Sequence, residues 1–292
     1  MATFMIILLG GGTRASIFFL IASGLTLVFG VGKIINFAHG SLYVLAMYIA
    51  YSFSTTLFEG TLGGFWYTLI LTPLCMGVIG SLLERIILRP VYGKEHLIQL
   101  LLTFGLVYVF SDIYRIGWGV MPRGVPRPEF LSGTVSLLGS ELPSYNLLVM
   151  CCAALVFFSL WAILGKTRFG MFCRAAASDG QMCEILGVNV LTVFTVIFGV
   201  GSFLAGLGGV LATQLSVATL GMDADITVLA FILVIVGGVG SVSGAAVAAL
   251  IIGLVEAFGA LFLENFVLVL IYLVMVIVLL FRPFGLFGKP VF

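Results

Sequence analysis

Apolar residues in this chain fall in long unbroken blocks, and polar residues gather between them. The blocks lie at roughly 15–32, 38–56, 66–84, 97–112, 146–165, 191–214, 226–240, 244–263 and 266–281. About 20 apolar residues let a helix cross a bilayer. A membrane β-barrel would instead alternate apolar and polar residues in strands of about ten. The run VLVLIYLVMVIVLLF does not alternate, so the blocks predict helices. Those near 97–112 and 226–240 are short, which predicts tilt, a break, or burial among other helices.

The first ten residues hold the apolar run MIILLG with no basic flank. This is not a secretory leader pattern, and it predicts an interfacial helix or a cap on the bundle. Glycines 10–12 are expected to break that helix, with Arg14 at the membrane edge.

Composition narrows the class. Of 292 residues, 62% are hydrophobic and 9% charged, against roughly 25% charged in soluble domains. So few charges cannot cover a soluble fold, which excludes a soluble enzyme, a nucleic-acid binder and a disordered chain. The net charge of +1 gives no reason for a polyanionic partner. The 37 glycines suit close helix packing in lipid. Five cysteines, with no C-x-x-C pair, read as small apolar fillers.

Basic residues set orientation. One set of alternate loops holds Lys33, Arg85, Arg89, Lys94, Lys166, Arg168, Arg174, Arg282 and Lys289, and the other Arg14, Arg115, Arg123 and Arg127. Nine against four places the first set in the cytoplasm, with the N-terminus outside and the C-terminus inside. The loop near 113–145 carries three of the outside arginines. Its length, its acids (Glu129, Glu141) and its prolines predict a folded external cap.

Enzymatic chemistry is not legible. Gly165-Lys166-Thr167 resembles the end of a phosphate loop, but the required glycine at 160 is Leu160. No serine sits in G-x-S-x-G. The two histidines, His39 and His96, are far apart, too few for a metal cluster. No catalytic residue, metal site or cofactor is expected.

Four features remain. Asn36 and His39, between the first two spans, are costly in a membrane unless satisfied, and Ser41 just after them is a further path-lining candidate. The first two read as a helix cap and a carbonyl-bonding group at a packed break, as lining of a translocation path, or as both. Residues 166–190 are the longest polar stretch of the cytoplasmic set. Ala175–Leu186 can form a short helix ending at Gly187, suited either to lipid or to a groove on a partner protein. Gly237, Gly238, Gly240, Ser241 and Gly244 form either a tight turn between antiparallel helices or a broken helix on a transport path. Glu256 is the clear acid inside a span, and reads as either functional or bonded to a neighbouring helix.

Several motifs together resemble the permease subunits of bacterial ABC importers for branched-chain amino acids, of the LivH type. They are GLTLVFGVGKIINFAHG (24–40), ERIILRPV (84–91), TRFGMFCRAAASDGQMCEILGVNV (167–190), LAGLGGVL (204–211), AFILVIVGGVGSVSGAAVAALIIGLVEA (230–257) and RPFGLFG (282–288). They span nearly the whole chain, in the family's order.

The resemblance implies an all-α polytopic bundle of the type II-like importer permease fold. It would have about eight or nine membrane segments in one domain, 1–292, in a bacterial inner membrane. The implied partners are cytoplasmic ATP-binding subunits, a second homologous permease, an extracytoplasmic solute-binding protein and membrane lipid, with no nucleic acid. The helix near 175–187 becomes the coupling helix, with Arg174, Ala175, Asp179, Glu184, Leu186 and Gly187 toward the ATPase. The cap 113–145 becomes part of the receptor face. One departure stands out. The family usually carries Glu after NFAHG, and this chain has Ser41. Related permeases carry urea and short amides, which gives an alternative substrate. A stand-alone secondary transporter or channel is the rival of another class, and needs coupling-ion residues inside the spans.

Overall fold

The computed structural model describes residues 2–58, 63–137 and 140–288. Lys289, one of the basic residues used for orientation, lies outside them. The described helices are α1 (Ala2–Gly32), α2 (His39–Ser52), α3 (Gly64–Leu83), α4 (His96–Trp118), α5 (Ser144–Lys166), α6 (Arg168–Ser178), α7 (Gly180–Ile185), α8 (Val190–Ala212), α9 (Met222–Gly237), α10 (Val242–Phe262) and α11 (Val267–Phe281). Strands β1 (Thr134–Leu137) and β2 (Ser140–Pro143) pair antiparallel in the only described sheet. Seven of the described helices are long and apolar enough to cross a membrane.

The bundle has two distinguishable ends. At the cap end, the end of α4, the hairpin and the start of α5 meet the 213–221 segment. There Arg123 and Ala218 exchange backbone hydrogen bonds of 3.0 and 2.7 Å. At the elbow end lie α6, α7 and the glycine turn between α9 and α10. The chain's last described residues close on this turn, with Leu286 N–H donating to the Val236 carbonyl at 2.8 Å.

α1, α2, α8, α9 and α10 form the centre, where Leu20, Leu25, Leu42, Met47, Leu211 and Val234 are fully enclosed. α11 buries only Ile271; its other side chains suit lipid, where apolar exposure costs nothing. Small residues set the closest crossings. A Cβ on Gly80 would sit 2.3 Å from Ser202 Cβ, and one on Gly209 would sit 2.4 Å from the Tyr43 carbonyl oxygen.

The N-terminal region differs from the sequence reading. α1 runs through glycines 10–12 without a break. Two of them serve packing: a Cβ on Gly11 would lie 2.8 Å from Leu254 Cδ2, and one on Gly12 3.1 Å from Met150 Cε. In lipid a helix keeps its backbone bonds because nothing else can satisfy them, so glycine there admits a neighbour rather than ending the helix. Arg14 accordingly lies inside a helix of 31 residues, not at a chain break. The block 97–112 extends to Trp118, taking six residues from the expected cap. The cap contains a small β-hairpin that an all-α reading did not include.

Candidate functional site

The site is built by a reversal of the chain. Lys33 (φ 53°) turns α1 off, and 33–38 run without helix to α2. By residue 39 the chain has returned to the depth of Ile21: His39 Nε2 lies 3.1 Å from the Ile21 carbonyl oxygen. Eleven residues of α1 span about 16 Å at 1.5 Å each, which the six non-helical residues can cover at about 3.3 Å each. α2 therefore starts deep in the bundle and runs to the cap end, extended by a π-turn at Phe53–Leu57. α9 is its counterpart. It begins after the irregular segment 213–221 and ends at the elbow end. The N-terminal turns of these two incomplete helices meet.

At that meeting Asn36, His39 and Ser41 are fully buried. Asn36 Oδ1 accepts from Ala38 N–H at 3.1 Å, so Asn36 closes the turn before the helix rather than capping α2. His39 donates through Nε2–H to the Ile21 carbonyl, which leaves Nδ1 as a bare acceptor with no partner. Ser41 Oγ donates to Asp223 Oδ2 at 3.0 Å, and Tyr114 OH donates to the Ser41 carbonyl at 2.6 Å. Thr227 Oγ1 lies 3.0 Å from the Phe37 carbonyl oxygen and 2.7 Å from that of Asp223. Gly40 admits this contact, since a Cβ there would sit 2.3 Å from Thr227 Oγ1. Toward the cap the polar line continues. Tyr48 stacks on Tyr114 at 5.1 Å, Trp118 Nε1–H donates to Ser52 Oγ at 2.7 Å, and Arg123 donates to Tyr51 OH at 3.2 Å.

Asp223, Thr227 and Tyr114 were missed in the sequence. Asp223 sits just before the block taken to start at 226, beside the exposed Asp225. The usable signal was spacing: Asp223, Thr227, Ala230 and Val234 share one buried helical face. Glu256 is also not the sole acid within the bundle. Glu84 is fully buried and accepts from Tyr92 OH at 2.8 Å, Thr195 Oγ1 at 2.8 Å and Arg89 Nη2 at 3.3 Å. Glu256 itself accepts from Arg14 on α1, a bond to a neighbouring helix.

The elbow is two helices, not the single one expected over 175–187. Asp179 ends α6 and caps α7, with Oδ1 accepting from Met182 N–H at 3.0 Å. Asp is a strong N-cap because its carboxylate satisfies an orphan donor, and here it outweighs continuation of the helix. Gly187 takes φ 84°, and Val188 N–H reaches back to the Cys183 carbonyl at 2.9 Å, closing α7. Cys173, Ala176 and Cys183 face inward; burial pushes the Cys173 thiol up to about 11. Ala175, Asp179, Glu184, Leu186 and Gly187 are exposed, and exposed Arg174 donates to the Leu164 carbonyl. Ile185 and Leu186 are 80% and 75% exposed, an apolar tip at the end of a polar elbow.

The glycine block is a turn. Gly238 and Gly240 have φ of 100° and 78°, and Ser241 Oγ accepts from Gly244 N–H at 3.0 Å to cap α10. A Cβ on Gly237 would lie 2.5 Å from Gly244 C, and one on Gly30 would lie 2.4 Å from Gly240 Cα. Among the described residues no group of three His, Cys, Asp or Glu could hold a metal.

Comparison with known proteins follows the same lines. Residues 7–279 match the family described as branched-chain amino acid transport system / permease component. The high-affinity branched-chain amino acid transport system permease protein BraD of Pseudomonas aeruginosa is 32% identical, over 97% of this chain and 95% of BraD. LivH of Escherichia coli K12, described by the same phrase, is 29% identical over 96% of this chain and 94% of LivH. The ribose import permease RbsC of Haemophilus influenzae is 30% identical over 54% of this chain and 48% of RbsC. No solved structure gives a significant match.

Proposed function

The chain belongs to the family of permease components of branched-chain amino acid transport systems, and from that premise we propose how it works and what it carries. It is the permease of an ABC importer and translocates branched-chain or related amino acids. A solute-binding protein delivers the solute at the cap end. ATP-binding subunits dock on the elbow at the opposite, cytoplasmic end. A second homologous permease completes the membrane unit. The N-terminus is external and the C-terminus cytoplasmic. The excess of basic residues at the elbow end supports this orientation.

The observation that carries the reading is the match over 7–279 in a bundle whose exposed elbow ends in Ile185 and Leu186. An apolar tip that follows Glu184 on an exposed polar elbow suits a groove on a partner. When the ATPase pair closes, the elbow moves, and α8, which starts directly after it, moves with it. α8 crosses α1, α2 and α3 at glycine contacts, so its displacement reaches the buried meeting of α2 and α9. Asn36, His39 and Ser41 are enclosed there in the present conformation. They line the path once the two incomplete helices separate. A stand-alone secondary transporter needs free coupling groups in the spans; Asp223 and Glu84 are hydrogen-bonded to neighbours, and Glu256 is paired with the cation Arg14 through one carboxylate oxygen.

Purification through a tag on this chain tests the assembly. The reading expects an ATP-hydrolysing subunit in stoichiometric amount. A chain that purifies alone from membranes active in uptake contradicts it.

A further inference from the structure

A cavity of about 420 Å³ opens among α1, α5, α8, α9 and α10, within the ~300–1,000 Å³ range of small-molecule sites. It lies in the cap-side half of the bundle, since the ends of α8 and α5 that border it, Ala212 and Asn146, are cap-end residues. Its polar wall holds Arg14, Glu256 and Asn146; its apolar wall holds Ile17, Phe18, Leu215, Met222 and Ile226. Arg14 Nη1–H donates to Glu256 Oε1. That bond leaves other guanidinium donors of Arg14 unused, and Arg14 is 48% exposed against 19% for Glu256. Glu256 Oε2 and Asn146 Oδ1 are buried acceptors with no partner.

The geometry points to a binding site for a free zwitterionic α-amino acid with an aliphatic side chain. This inference rests on the function proposed above and gives it a place within this chain. The ligand carboxylate bonds the free guanidinium donors of Arg14, which suit a planar two-oxygen acceptor. The ammonium donates to Glu256 Oε2 and Asn146 Oδ1. The side chain lies against the apolar wall. The site pairs one cation with one anion, as the ligand does, so the loaded cavity carries no net charge into the membrane. A ligand with only one of the two charges leaves either the guanidinium or the carboxylate unmatched. α9 links the site to the buried meeting: Met222 borders the cavity, and the adjacent Asp223 holds Ser41.

The test uses the detergent-purified permease complex without solute-binding protein or ATP, and radiolabelled L-leucine as the probe. Wild type binds leucine. Unlabelled valine and isoleucine displace it, while 4-methylpentanoate and 3-methylbutylamine, each lacking one charge, compete at least tenfold less well. Glu256→Gln and Asn146→Leu weaken binding at least tenfold. Equal competition by the singly charged analogues overturns the site, and that arm needs no variant to fold. Unchanged binding in both folded variants also overturns it. ATP-driven leucine uptake by the complete system separates the two ideas. Uptake without receptor-free binding leaves the importer standing and removes the site. Binding without uptake leaves the site standing and removes the importer.

Discussion

Ser41 and Gly40 do different work at adjacent positions. Ser41 supplies a hydrogen bond to an enclosed carboxylate oxygen of Asp223. Ser41→Ala removes that donor and is expected to destabilise the protein by about 1–3 kcal/mol, the usual cost of a buried polar group left unmade. Gly40→Ala adds an atom where Thr227 Oγ1 would be 2.3 Å away, and overpacking of this kind costs about 1–3 kcal/mol. Thermal unfolding of the purified chain, followed by fluorescence-detected size exclusion, checks both. A midpoint within error of wild type for either removes that contact from the account. At this scale the sequence was half legible. Asn36, His39 and Ser41 stand out because polar side chains next to apolar blocks need a reason. Ser41's partner, Asp223, is 182 residues away, and pattern along a chain carries no distance across it. Glycines 10–12 misled for a related reason: a glycine that admits Leu254 looks the same in sequence as one that ends a helix.

The elbow is the element whose surface and fold can be separated by mutation. Leu186 is exposed, so Leu186→Glu is expected to change stability by less than about 0.5 kcal/mol while reducing co-purifying ATPase at least tenfold. Full ATPase recovery removes Leu186 from the docking surface. The inward face gives a chemical check. Burial raises the Cys173 thiol to about 11, and only the thiolate reacts. At pH 8 the thiolate is then about one part in a thousand, tenfold rarer for each pH unit below the pKa. Mass-spectrometric maleimide labelling of Cys173 should therefore be slow at pH 8 and rise steeply toward pH 10. Labelling at the rate of a free cysteine at pH 8 contradicts the burial. Thr167, Asp179 and Asn189 each cap the following helix. The stop at Gly187 is legible in the sequence and the break at Asp179 is not, because an acid in mid-segment looks like a solvated face until its side chain turns back to Met182 N–H.

Across the whole molecule, lipid makes most of the fold legible. A helix that satisfies its own backbone and presents apolar side chains to lipid leaves a continuous block in the sequence. That is why α3, α5, α8, α10, α11 and the second half of α1 are plain in the sequence. α2 and α9 depend on each other instead. Each starts within the bundle because the other receives its first turn, and no single block encodes that. The cap hairpin was hidden for the opposite reason: its four-residue strands are too short to show a period. The proposed orientation rests on which end carries the basic residues. With native cysteines replaced, Lys94→Cys should react with an impermeant maleimide only from the cytoplasmic side and Arg127→Cys only from outside. The reverse pattern would invert the assignment of cap and elbow.

Solute flux in sealed vesicles tests the division of labour directly. The purified complex, reconstituted with its solute-binding protein and leucine outside and ATP within reach of the elbow, should accumulate leucine against its gradient. It should stop doing so when ATP, the ATPase subunits or the binding protein is withheld. Accumulation by this chain alone, with no nucleotide and no companion subunit, would contradict an importer whose motor is a separate protein.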